Sequence, residues 1–172
     1  LRGLGKMAKV NSSVSVSDKD MGYKAIVTEI AKMNKTFVKV GLQDDGMKYD
    51  DEGASVAEIG YYNEFGTDTI PSRPFMRQTA ERRKSELNAH IEAEHNAIVA
   101  GKKTVNVSLN ALGFQYATWI QAEIREGGWV PNAPYTLKRK LAKSNGTAAG
   151  EPKPLIDTGR MIQSIRHILV DK

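Results

Sequence analysis

Cysteine is absent from the 172 residues, which excludes disulfides and thiol chemistry and suits a chain that folds in a reducing cytoplasm. No apolar run reaches the roughly 18 residues a membrane-spanning helix needs, so no membrane partner is expected. The basic stretch from Arg2 to Lys9 leads into polar VNSSVSVSD, so no signal peptide is read there. Aromatics are scarce at 7%, and hydrophobic residues are 40% of the chain, which allows a core of modest size. Charge of one sign is not in large excess: 25 Lys and Arg against 20 Asp and Glu give +5. A dedicated duplex-DNA binder gathers its bases on one face. Here they are scattered, with local clusters only at Arg82-Arg83-Lys84 and Lys138-Arg139-Lys140.

Catalytic signatures are also missing. There is no G-x-S-x-G, no phosphate-binding G-x-x-x-x-G-K, no G-x-G-x-x-G and no H-E-x-x-H. Of the three histidines, His90 and Glu94 share a helix face, but zinc needs three or four ligands. Asp44, Asp45, Asp50, Asp51 and Glu52 crowd the segment 43–54, yet their spacing does not match a calcium loop. Glu64 and Asp68 make a weak carboxylate pair. Asp157-Thr158-Gly159 reads as a helix cap more simply than as an anion site. The chain is therefore expected to be non-enzymatic and to need no metal or cofactor.

What is present reads as alternating elements. SVSVS, residues 13–17, has strand periodicity, and Asp18 is placed to cap the next helix. In that helix Ile26, Val27, Ile30 and Met33 fall at helical spacing, predicting one buried stripe. FVKVGL is a second strand. Ser55 and Glu58 form a capping box for a short helix, and Gly66 stands where a helix stop needs positive φ. Pro74 suits the first position of a helix running to about Ala100. That helix carries a thin apolar stripe (Phe75, Met76, Leu87, Ile91, Ile98), which predicts that it projects or packs on a neighbouring subunit. Residues 101–108 read as a break with some strand character. Leu109, Leu112, Tyr116, Trp119, Ile120 and Ile124 mark a strongly amphipathic helix ending at Gly127-Gly128. Pro134 starts a basic helix, 144–154 has linker composition, a short helix begins at Asp157 or Thr158, and Ser164 to Val170 alternates as a last strand. The order β-α-β-α-α-α-α-β predicts an α+β domain over 13–172: a small mixed or antiparallel sheet packed with helices, one of them long, behind a flexible N-terminal arm at 1–12.

Four segments carry a resemblance: FVKVGL, ASVAEIGYYNEFGTDTIPSRPFMRQT, WVPNAPYTLKRK and LIDTGRMIQSI. In this order and separation they resemble the tail-completion or neck proteins of tailed bacteriophages, among them the HK97-type family and the virion-morphogenesis proteins of Mu-like phages. The motif N-E-F-G-T with I-P-x-R-P-F behind it is the strongest match, and L-I-D-T-G-R is the second. The resemblance implies a structural virion protein, assembled in the host cytoplasm. It implies a homo-oligomeric ring, hexameric or twelve-fold, between the portal-side connector (adaptor) and the tail terminator or tail tube protein, with genomic DNA passing through the lumen. It covers most of 13–170.

On that reading Glu64, Phe65, Gly66, Thr67, Pro71, Arg73, Pro74 and Phe75 form an inter-subunit or tail-facing surface, with Phe65 and Arg73 presented together. Asp157, Thr158, Gly159 and Arg160 are a second region of that inter-subunit or partner interface and are expected to position the last helix and strand. Arg82, Arg83, Lys84, Lys138, Arg139 and Lys140 are a candidate DNA-facing or charged interface. The bland reading of Phe65, Pro74 and Phe75 is core packing and helix start. A tail terminator or other tube-associated protein is the alternative within the same class, and a basic nucleic-acid-binding protein the alternative outside it.

Overall fold

The computed structural model describes residues 19–43, 53–143 and 152–172. The expected arm at 1–12, the strand at 13–17, the Asp18 cap, the acidic cluster at 44–52 and most of the linker at 144–154 lie outside the described residues. Within them the chain runs α1 (Tyr23–Met33), β1 (Thr36–Leu42), α2 (Val56–Phe65), α3 (Phe75–Arg82), α4 (Lys84–Val99), α5 (Val105–Glu126), α6 (Pro134–Lys143), α7 (Arg160–Gln163) and β2 (Ile165–Asp171). This is the α+β arrangement read from the sequence, with a two-stranded antiparallel sheet and one long helix, α5.

The sheet joins two of the segments that alternate with period two. Thr36 pairs with Asp171, Val40 with His167 and Leu42 with Ile165. Alternation leaves one face of each strand apolar, and α5 lies across that face, in contact with both strands. The approach is close because of Gly113: a Cβ there would meet the His167 ring and Val38 Cγ2, each at 2.7 Å. Further along α5, Ala117, Ile120 and Ile124 fall on one face and meet Val56, Phe75, Met161, Ile162 and Ile165 in the core. Burying one large side chain of this kind stabilises by about 1.5–3 kcal/mol. The core gathers where α2, α3, α5, α7 and the end of the sheet converge.

α2 begins as expected. Ser55 Oγ accepts from Glu58 N at 3.2 Å and Glu58 Oε2 accepts from Ser55 N at 2.8 Å. Gly66 ends it at φ 81, with ψ 170 carrying the chain into an extended loop and not into a left-handed turn.

Several expectations are corrected. The helix from Pro74 to Ala100 is two helices. Arg83, at φ −102 and ψ 11, ends α3 and starts α4, and Pro74 sits just before the first helical residue, Phe75. The bend lets both pieces pack on α5: Gln78 Nε2 and Arg82 Nη1 each reach Glu123 Oε1 at 2.7 Å, while Arg83 lies over the Trp119 ring. The strand character read at 101–108 is not realised, because α5 already starts at Val105. Its exposed N-terminal amides are met by two oxygens. Thr104 Oγ1 accepts from Val107 N at 3.4 Å, and Glu29 Oε2, from α1, accepts from Val105 N at 2.8 Å. The stripe of α1 is only partly covered: Ile26 and Met33 are half-buried, Val27 and Ile30 are exposed, and no α1 residue is fully buried.

Candidate functional site

The segment between α2 and α3 folds back on itself because its polar groups close locally. Thr67 N donates to Ile70 O at 2.9 Å, Thr67 Oγ1 accepts from Ile70 N at 3.0 Å, and Ser72 Oγ donates to Glu64 O at 2.9 Å. Gly66 is required there: a Cβ would come within 3.0 Å of Ser72 N and 3.1 Å of Ile70 O, and its positive φ is costly for any other residue.

The residues grouped by sequence then separate. Glu64 is 4% exposed. Its carboxylate accepts from Met76 N at 2.9 Å and Arg77 N at 3.1 Å, the free amides at the start of α3. Arg77 Nε adds an ion pair at 3.0 Å, and Arg77 Nη2 donates to Glu64 O at 2.7 Å. Negative charge at that helix end is favoured by the aligned peptide dipoles. Phe75 is fully buried in the core.

Arg73 was expected at the surface beside Phe65 and is not there. It is 5% exposed. Its guanidinium donates to Val130 O at 3.0 Å, Pro131 O at 3.2 Å and Asn63 Oδ1 at 3.3 Å, and its backbone N donates to Asn63 O at 2.6 Å. Burial lowers its pKa from the usual value, yet an arginine remains a cation at any physiological pH. It braces the turn after α5 against the end of α2. Phe65 alone is presented: it is 54% exposed and packs on Tyr61, with ring centroids 4.7 Å apart, and under the Arg77 guanidinium. With Tyr62 these rings make an aromatic surface on α2 that the motif search did not single out.

The second motif meets the first. Gly159, at φ 80, precedes α7, and Thr158 Oγ1 accepts from Arg160 N at 3.4 Å. Leu155 has φ 62, in the left-handed region, a costly conformation for leucine that its packing against the core offsets. This turn brings Asp157 to a cleft of about 270 Å3 that Ile70, Pro71 and Arg73 line from the first motif and Arg139 and Lys140 from α6.

The basic clusters divide in the same way. Arg82 and Arg83 are bound to Glu123 and Glu86, and Lys84 is exposed. Lys138 and Arg139 are exposed, whereas Lys140 is partly buried and donates to the carbonyls of Lys153, at 2.8 Å, and Ile156. His90 sits edge-on to Trp119 with centroids 5.7 Å apart, and Glu94 is held by Lys103 at 2.6 Å. Asp68 is exposed while Glu64 is committed to α3. Neither a family model, nor a curated protein, nor a solved structure matches the chain.

Proposed function

We propose that this chain is a structural, non-enzymatic protein of a phage neck, a ring subunit that completes the tail-joining end of the head. The observation that carries the reading is the meeting of the two motifs behind the resemblance. N-E-F-G-T…I-P-x-R-P-F and L-I-D-T-G-R lie far apart in sequence, yet both line one cleft and both feed one core, through Phe75 on one side and Met161 and Ile162 on the other. Glu64 caps α3 and Arg73 braces the turn after α5, which suits a scaffold motif and leaves the docking of partner subunits to other surfaces.

Two groups of large apolar side chains exposed among the described residues supply such surfaces. One is the α1 stripe with Met21, Tyr23, Val27 and Ile30; the other is Tyr61, Tyr62 and Phe65 on α2. α1 contacts the sheet at β1 and so does α2, one from before the strand and one from after it. Distinct patches of this kind are what heterologous, ring-closing contacts need, and aromatics are enriched at interface centres. Arg139 and Lys138 are candidates for the charged surface that DNA passes.

The test is assembly. Particles made without the protein should be filled heads and separate tails, rescued by the wild type and not by a Tyr61→Ala, Phe65→Ala double variant that keeps its circular dichroism. Negative-stain images should show rings, of the protein alone or on the connector. Normal tailed particles in its absence would sink the assignment.

A further inference from the structure

The cleft between the 69–73 loop, α6 and the 155–161 turn has a charge pattern that the fold alone does not use up. At about 270 Å3 it falls below the roughly 300–1,000 Å3 of sites for drug-sized ligands, so it fits a single group and its waters. The charged residues lining it, among those described, are Arg73, Arg139, Lys140 and Asp157. Asp157 offsets one of the three cations and leaves the cleft net positive.

Arg73 is the unusual member. Charged side chains are almost never buried unless paired, yet among the described residues no carboxylate lies within ion-pair distance of its guanidinium, the five ion pairs being elsewhere. Its carbonyl and amide partners satisfy hydrogen bonds without cancelling its charge. They engage one N–H on each of its three nitrogens, and a guanidinium carries five. Lys140 shares the environment: burial lowers its pKa, Asp157 raises it, and Arg73 and Arg139 lower it again.

We infer that this cleft binds one anionic group of carboxylate or phosphate type, held by Arg139 and the remaining N–H groups of Arg73, with Asn132 and Thr136 as neutral hydrogen-bonding neighbours on the wall. Such a group supplies a counter-charge that no described carboxylate gives Arg73, and guanidinium is the cation best shaped for it. The inference stands on the cleft and not on the neck assignment.

The full-length chain is titrated with inorganic phosphate and, separately, with acetate, at constant ionic strength set by NaCl, following the melting temperature. A site specific to the folded state gives a saturable rise. Arg139→Gln, at an exposed position, should weaken the apparent affinity at least about fivefold, the scale of a lost charge-assisted bond, and Arg139→Lys should recover part of it. Lys138→Gln removes the same charge from the same helix outside the cleft and should leave the titration unchanged. The anion with the lower midpoint identifies the natural group as phosphate or carboxylate. No saturable rise with either anion, or equal weakening by Lys138→Gln and Arg139→Gln, overturns the proposal.

Discussion

Glu64 and Arg77 are bound to each other twice, side chain to side chain at 3.0 Å and guanidinium to Glu64 carbonyl at 2.7 Å, so α3 is held by a carboxylate that belongs to α2. Glu64→Ala should cost about 3 kcal/mol, since it strips acceptors from two helix-end amides and unpairs Arg77. Urea unfolding measures the loss. Amide exchange at Met76 and Arg77 should speed up more than at α5, and a uniform change across the chain would contradict the capping role.

Arg73→Lys keeps the charge and loses the fork. One ammonium cannot reach Val130 O, Pro131 O and Asn63 Oδ1 in the planar arrangement that guanidinium offers. A loss of about 2 kcal/mol is expected, with the turn after α5 loosened. Trp129 reports on that turn because its indole N–H donates to Glu123 O at 3.2 Å. Its emission should shift to the red in the variant, best read with Trp119 replaced by Phe.

Gly113→Ala sets two effects against each other. Alanine is a better helix former by about 1 kcal/mol. The added methyl would meet Val38 and His167 at 2.7 Å, and Val38 is a β-branched strand residue with little room to turn, so overpacking of about 1–3 kcal/mol opposes the gain. The net effect should be destabilising, seen as a lower urea midpoint. A rise would mean that α5 does not rest on the sheet as closely as described.

Glu29 links stability to acid. Its pKa lies below the ordinary carboxylate value because Lys32 bonds to it, at 2.7 Å, and the Val105 amide donates to it. A carboxyl whose pKa is lowered by folding stabilises fully above its unfolded value, about 4.3, and loses that contribution as pH falls through the lowered folded value. Glu29→Gln should therefore lower the urea midpoint at pH 7, and the gap from wild type should close as pH falls below about 4. A gap independent of pH would remove Glu29 as an ionised cap of α5.

What could be read from residues in order was local. The capping box at Ser55 and Glu58, strand β1 and the final strand are short-range patterns, and each formed as expected. The misreadings share a different cause. Nothing near Arg83 is a glycine or proline, so the bend between α3 and α4 had no local mark; it follows from packing on α5. VNVS alternates like a strand, but Thr104 and the distant Glu29 cap it as a helix. Arg73 between two prolines resembles a displayed loop residue, and only the arrival of Val130 and Pro131 turns it inward. The aromatic surface of Tyr61, Tyr62 and Phe65 was present in the quoted motif, but which of its rings faced outward depended on where β1 and α3 packed.

The pairing of Thr36 with Asp171 has a consequence for the order of events in synthesis. β1 is made before α2 to α7, and its only described neighbour in the sheet follows all of them, so the strand keeps that hydrogen-bonding edge unpaired until β2 has been made. Closing so long a loop is slow, because the ordering cost comes before any contact rewards it. Ile165, in the core, arrives with the same late segment. The helices can form as the chain emerges, but the sheet and the packed interior form together, only once the β2 segment has been made. A chain stopped short of β2 would keep helical content while exposing a strand edge open to foreign pairing.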